Sequence, residues 1–119
     1  DILVDAGRDV SVTGVSSSNK TTIETSGHTD TDNFAGDGGT QDYTSARNFT
    51  LGANTRMIGN GSQPDGYGSD VFLDVGGNLS MTGTLTAIAT GGKGTGGYLE
   101  AIVAGTSTLA STSAITSCC

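Results

Sequence analysis

The segment from Ile2 to Gly14, ILVDAGRDVSVTG, returns later in the chain as Val71 to Gly83, VFLDVGGNLSMTG. Apolar positions coincide in the two copies, and each copy has a glycine-containing corner in its middle. On either side of the corner, apolar and polar residues alternate, which is the pattern of a half-buried β-strand. A repeated unit of strand, corner and strand predicts coils that stack into a solenoid.

A third copy lies between the first two, at Ala46 to Leu51 (ARNFTL). The corners then fall at Asp9, Asn48 and Asn78, with spacings of 39 and 30 residues. This uneven spacing favours wide coils of three short strands whose connecting loops differ in length. Because no helical apolar period persists along the chain, we expect little or no helix.

These patterns predict an all-β fold, a parallel β-helix (β-solenoid) of about three to four irregular coils in one domain, 1–119. We place the coils at roughly 1–40, 41–70, 71–97 and 98–117, followed by a Cys-Cys tail at 118–119. The polar, glycine-rich stretches at 26–40, 59–69 and 91–97 are predicted loops. Glycine, Asn and Asp suit the corners because they tolerate left-handed backbone.

The composition restricts the classes of function. The chain has 119 residues, of which 34% are hydrophobic, and it contains twenty glycines and no Trp, so we expect a thin core. A net charge of −7 with five scattered basic residues argues against nucleic acid and anionic membranes as partners. No apolar run is long enough for a membrane span. Abundant Thr and Ser predict an extracellular or cell-surface protein.

The corner segments DAGRDVSVTG and DVGGNLSMTG resemble the repeats of bacterial surface exoproteins of the filamentous haemagglutinin and autotransporter-passenger type. This resemblance implies a right-handed parallel β-helix, and the crossover rule for parallel strands favours the same hand. It also implies an elongated, surface-displayed shaft with an adhesive or structural role.

The only cysteines are the last two residues, Cys118 and Cys119. Adjacent cysteines rarely bond to each other because the small ring strains the peptide. In an oxidising compartment, we therefore expect them to face another chain or another part of this one. Two interpretations stay open, an intersubunit disulfide and a mobile tail with free thiols.

Carboxylates are dense in the first predicted loop, and Asp30, Asp32, Asp37 and Asp42 are candidate ligands of a weak calcium site. Their spacing does not match a calcium-binding loop, and solvated acidic corners are the alternative interpretation. Zinc is disfavoured because His28 is the only histidine. No other cofactor is predicted.

Four asparagines stand in glycosylation-type triplets: Asn19, Asn48, Asn60 and Asn78. Corner geometry explains Asn48 and Asn78 equally well. The sequence therefore marks these positions as possible glycosylation sites without deciding whether they carry sugar.

An enzyme is the less favoured interpretation. Asp5 and Asp74 occupy the same repeat position, and stacked carboxylates serve as acid and base in some polysaccharide-active β-helices. A carboxylate beside a corner also caps backbone amides, however, and four coils leave little room for a substrate groove. With no Ser-His-Asp set and no phosphate-binding loop, the sequence predicts a protein that is not an enzyme.

The predicted function follows from the ends of the solenoid. Unpaired strand edges must be capped or paired, and the sequence shows no amphipathic cap helix. We therefore expect copies to stack end to end into a homopolymeric surface filament locked by the terminal cysteines. One alternative is a module of a large adhesin whose loops at 26–40 and 59–69 bind a glycan or another host-surface ligand. A weaker alternative is ice or mineral binding through Thr82, Thr84, Thr86, Thr106 and Thr108.

Overall fold

A computed structural model describes residues 1–86, 95–111 and 113–116. These residues form twelve strands and no helix. The strands are β1 Ile2–Ala6, β2 Val10–Val12, β3 Thr21–Glu24, β4 Gln41–Ser45, β5 Phe49–Leu51, β6 Thr55–Ile58, β7 Val71–Val75, β8 Leu79–Met81, β9 Thr84–Thr86, β10 Leu99–Val103, β11 Ser107–Leu109 and β12 Ala114–Thr116.

The strands belong to three parallel sheets, each of which takes one strand from every coil. The first sheet has the order β1-β4-β7-β10, the second β2-β5-β8-β11 and the third β3-β6-β9-β12. Three successive strands therefore make one coil, and each strand pairs in register with its equivalents in the neighbouring coils. The predicted all-β parallel solenoid of about four coils is confirmed.

The core is a set of columns that run along the solenoid axis. In the second sheet, Val10, Phe49 and Leu79 occupy one inward position of successive coils. Their outward neighbours on the same strands are Ser11, Thr50 and Ser80. The predicted alternation is confirmed here, and burying one large apolar side chain contributes about 1.5–3 kcal/mol. The buried apolar residues all belong to coils 2 and 3: Tyr43, Phe49, Leu51, Met57, Val71, Leu73, Val75, Leu79, Met81 and Leu85.

A polar group is also buried in coil 2. Gln41 is fully buried, and its Nε2 donates hydrogen bonds to Thr25 Oγ1 (3.0 Å) and to the carbonyl of Ile58 (2.9 Å). The hydroxyl of Tyr43 donates to Gln41 Oε1 at 3.2 Å, and burial raises the pKa of Tyr43 to about 12. This network gives a second hydrogen bond to the carbonyl of Ile58 at the end of β6, which also accepts from the backbone N–H of Thr25.

The first corner, between the first and second sheets, carries a ladder of side-chain hydrogen bonds. Asp9 Oδ1 accepts from both the backbone N–H (3.0 Å) and Nδ2 (2.9 Å) of Asn48. Asn48 Oδ1 accepts from the backbone N–H of Asn78 (3.0 Å), and Asn78 Oδ1 accepts from that of Thr106 (2.9 Å). Each coil thus satisfies a corner amide of the next coil, which explains why Asp and Asn recur at this position.

The corner glycines act differently from the expectation. Among the described residues no glycine has a positive φ, and the left-handed positions are Asn33 (φ 64) and Asn54 (φ 58). Gly76 and Gly77 instead allow close approach of the coils, because a methyl group there would lie 2.5 Å from the carbonyl oxygen of Ala46 and 2.6 Å from that of Arg47. The coil 3 corner therefore needs glycine for space and not for backbone conformation, whereas a methyl group at Gly7 of coil 1 would meet nothing within 4 Å.

The predicted loops at 26–40 and 59–69 leave the third sheet and return to the first. The two legs of each loop touch at glycines: a methyl group at Gly27 would lie 1.9 Å from the Gly36 oxygen, and one at Gly61 would lie 2.2 Å from the Gly66 oxygen. The loops also contact each other, since Thr29 Oγ1 donates to the carbonyl of Gln63 at 2.7 Å. Each loop is therefore closed at its base and packed on the loop of the adjacent coil.

The ladder predicts that Asn48→Ala destabilises the protein more than Asn19→Ala. Asn48 makes side-chain hydrogen bonds to two neighbouring coils, whereas Asn19 is exposed in the second corner of coil 1. We expect Asn48→Ala to lower the free energy of unfolding by about 1–3 kcal/mol, because two interactions of about 0.5–1.5 kcal/mol each are lost. Urea unfolding measures both variants, and equal losses would contradict the importance of the ladder.

The ladder also predicts a dependence of stability on pH. The backbone hydrogen bond from Asn48 lowers the pKa of Asp9 below its usual 3.8 in the folded protein. The ionised carboxylate therefore stabilises the fold above pH 3.8, and this contribution is lost as the pH falls through the lowered pKa. We expect the stability difference between the wild type and Asp9→Asn to shrink on acidification to about pH 2.5. A difference that does not change with pH would contradict this assignment.

Candidate functional site

The two ends of the solenoid are the most distinctive surfaces of the described chain. Coil 1 ends the stack with β1, β2 and β3, and coil 4 ends it with β10, β11 and β12. Each of these six strands pairs with one strand on its inner side, and no strand in the described ranges covers its outer edge. The backbone groups of that edge remain available for pairing with another strand.

The apolar side chains of the end coils are incompletely covered. Leu109 and Ile115 lie at the inward positions that Met81 and Leu85 occupy in coil 3. Leu109 is 51% exposed and Ile115 is 43% exposed, whereas Met81 and Leu85 are each 1% exposed. At the other end, the inward side chains of coil 1 are only partly buried against the core: Ile2, Val4, Val10, Val12 and Ile23.

The two end faces match each other in strand position and, in the first and second sheets, in strand length, while β3 has four residues and β12 has three. β1 and β10 both have five residues, and β2 and β11 both have three. Through the registers of the intervening strands, Leu99 of coil 4 is equivalent to Ile2 of coil 1. Leu109 is likewise equivalent to Val12, and Ile115 to Ile23. The strands of the coil 1 face therefore lie at positions that would continue the three sheets beyond the coil 4 face.

The fold does not gather the four predicted calcium ligands. Asp30 Oδ1 accepts from the amides of Asp32 (3.0 Å) and Phe34 (2.9 Å) within the first loop. Asp37 Oδ1 accepts from the amide of Tyr67 in the next coil, and Asp42 lies on the outward face of β4. The described residues contain no group of three or more His, Cys, Asp or Glu side chains that could hold a metal ion.

The predicted glycosylation sites differ in their surroundings. The amide nitrogen of Asn48 donates to Asp9, and the side chain of Asn78 accepts a hydrogen bond within the same ladder. Asn19 is exposed in the second corner of coil 1, and Asn60 is half-buried in the second loop. Attachment of sugar at these positions stays a prediction, and the ladder gives Asn48 and Asn78 a structural role of their own.

Other predicted residues are dispersed. Asp5 and Asp74 lie on the outer face of the first sheet with Thr44 between them, so two strand spacings of about 4.8 Å separate their backbones. The threonines considered for ice binding lie on different sheets, since Thr84 is in β9 and Thr108 is in β11. Cys118 and Cys119 lie outside the described residues, as do residues 91–94 of the predicted loop at 91–97.

Sequence reasoning missed two groups of residues. Thr106 is the fourth corner, 28 residues after Asn78, and a search for Asn or Asp does not find it. Asp70 and Tyr98 come together across coils, because Asp70 Oδ1 accepts from the amide of Tyr98 at 3.2 Å. Neither pair follows from the earlier corner spacings of 39 and 30 residues, since both pairs are 28 residues apart.

No protein family, curated protein or solved structure matches this chain. Within the described ranges no helix is long and apolar enough to cross a membrane. The architecture is therefore established by the geometry alone, as a stack of three parallel sheets compatible with a β-helix.

Proposed function

We propose that this protein is the subunit of an extracellular structural or adhesive filament in which copies stack head to tail through their end faces. The observation that carries the proposal is that one chain has two open end faces whose strands occupy equivalent positions. An extracellular location is proposed from the Thr- and Ser-rich composition and from the resemblance of the corner repeats to surface exoproteins.

Head-to-tail stacking continues the existing pattern of the solenoid. A copy whose coil 1 lies on coil 4 of its neighbour adds a parallel strand to each sheet. Half-exposed side chains such as Leu109 and Ile115 then face Val12 and Ile23. The contact removes apolar surface from water and pairs the edge backbone groups at the same time.

The geometry of the contact determines the form of the assembly. The two faces belong to opposite ends of the chain, so the contact is heterologous and leaves one free face at each end of every oligomer. Translation along the solenoid axis does not close a ring. Growth therefore gives a fibre, and the corner hydroxyl of Thr106 would face the Asp9 region of the next copy.

End-to-end assembly is tested by charging one face at a time. Leu109→Lys places an ammonium group on the coil 4 face, and Val12→Lys does so on the coil 1 face. We expect fibres from the wild type in negative-stain micrographs and neither variant to form them, because burial of an unpaired charge is strongly unfavourable. Ile102→Lys is the matched control. Like Leu109, Ile102 is an exposed residue of coil 4 (59%), but it points outward from the first sheet.

A mixture of the two charged variants tests the polarity of stacking. Each variant keeps one intact face, so an equimolar mixture is expected to give discrete dimers in sedimentation velocity, while each variant alone stays monomeric. Circular dichroism confirms that both remain folded. A monomeric wild type at high concentration, or fibres that persist in Leu109→Lys, would overturn the proposal. Either result would favour coverage of the end faces by further coils or by another protein.

The terminal cysteines are proposed to lock neighbouring subunits. We expect Cys118→Ser with Cys119→Ser to form fibres that dissociate faster on dilution than oxidised wild-type fibres. The reason is that a covalent link between subunits removes the entropy cost of reassociation. Non-reducing electrophoresis should show crosslinked oligomers only for the wild type, and equal dissociation rates would contradict the lock.

A further inference from the structure

A groove runs beside the first sheet, where the chain returns from the third-sheet loops. Its volume is about 410 Å³, and residues of three successive connections between the third and the first sheet line it. The groove is distinct from the end faces, since it opens on the side of the solenoid. The side chains used below are Asp37, Thr40, Tyr67, Asp70, Thr95 and Tyr98.

The groove contains two hydrogen bonds from a tyrosine backbone to an aspartate side chain, at two different positions of the connections that lead into the first sheet. Asp37 Oδ1 accepts from the amide of Tyr67 at 2.8 Å, and Asp70 Oδ1 accepts from the amide of Tyr98 at 3.2 Å. In both cases, a carboxylate in one connection accepts a hydrogen bond from the backbone N–H of a tyrosine in the next connection. Each aspartate lines the groove and has a second carboxylate oxygen, which is a further hydrogen-bond acceptor.

The tyrosines bring exposed aromatic surface to the groove. Tyr67 is 54% exposed and Tyr98 is 53% exposed, although large aromatic side chains are commonly buried. The hydroxyl of Tyr98 donates to Glu100 Oε2 at 2.8 Å, and its ring centroid lies 5.9 Å from that of Phe72. Tyr98 is thus held by hydrogen bonds at its backbone and at its hydroxyl, while about half of the residue remains exposed.

We propose that this groove binds a neutral glycan. The C–H face of a pyranose ring packs on an aromatic ring, and sugar hydroxyls donate to carboxylates, so Tyr67 and Tyr98 supply stacking surfaces while Asp37 and Asp70 supply acceptors. The hydroxyls of Thr40 and Thr95 add smaller polar contacts. The volume falls within the range of about 300–1,000 Å³ that is typical of ligand sites.

The charge of the groove decides between classes of glycan. Among the described residues that line the groove, two are aspartates and none is basic. A uronic or sialic acid would bring a carboxylate beside these carboxylates, and like charges at short distance are unfavourable. Neutral hexose chains carry no such penalty. This site does not depend on the filament proposal, since all of its described lining residues belong to one chain.

The binding test uses cellohexaose, laminarihexaose, maltohexaose and mannohexaose, with hexagalacturonate as the anionic comparison. We expect at least one neutral hexasaccharide to shift the amide NMR signals of Tyr67, Thr95 and Tyr98, and hexagalacturonate to leave them unchanged. Absence of a shift with all four neutral probes at millimolar concentration would overturn the proposal. Oligolysine is the cationic comparison. Shifts with oligolysine alone would also overturn the proposal, in favour of a basic peptide as the ligand.

Variants locate the binding surface. We expect Tyr98→Ala and Tyr67→Ala each to weaken the affinity for the responding glycan by about three- to tenfold, as expected for the loss of one aromatic contact. Phe34→Ala is the matched control, since Phe34 is a 70% exposed aromatic residue that lies outside the groove. Equal affinities for Tyr98→Ala and Phe34→Ala, with native circular dichroism spectra, would contradict the site.

Discussion

Pairing between coils is the constraint on which this structure depends. Every sheet contains one strand from each coil, so the ladder hydrogen bonds of a strand go to the coils above and below it. A single coil has neither a complete set of backbone partners nor a covered core, and its stability comes from its two neighbours. Exposure follows this rule: inward apolar residues of coils 2 and 3 are fully buried, while those of coils 1 and 4 are only half covered.

The repeat in the sequence was sufficient to predict the solenoid because coils 1 and 3 follow the alternation of apolar and polar residues closely. Coil 2 does not. In β4 the inward positions are Gln41, Tyr43 and Ser45, and no apolar alternation marks them. Their burial becomes evident only from the register with Ile2 and Val71, where the column is continuous. The polar network around Gln41 could not be predicted, since Thr25 and Ile58 reach it from a different sheet.

The candidate site was predicted less well than the fold, and the reason is geometric. The sequence pattern predicts metal ligands among residues that are close in sequence, such as Asp30, Asp32 and Asp37. In a solenoid, however, side chains meet across coils at separations of 28 to 39 residues, as with Asn78 and Thr106 or Asp9 and Asn48. Asp37 therefore contacts Tyr67 rather than its sequence neighbours. The end faces were foreseen, because unpaired edges follow from the architecture itself.

The closed bases of the loops have an evolutionary consequence. Because Gly27 meets Gly36 and Gly61 meets Gly66, each excursion starts and finishes at nearly the same point. The residues between the two glycines can then lengthen, shorten or change in character without altering the distance that the coil must span. The tips can therefore vary while the stacked columns stay fixed, and the corner spacings of 39, 30 and 28 residues show connections of different length joined to the same columns within one molecule.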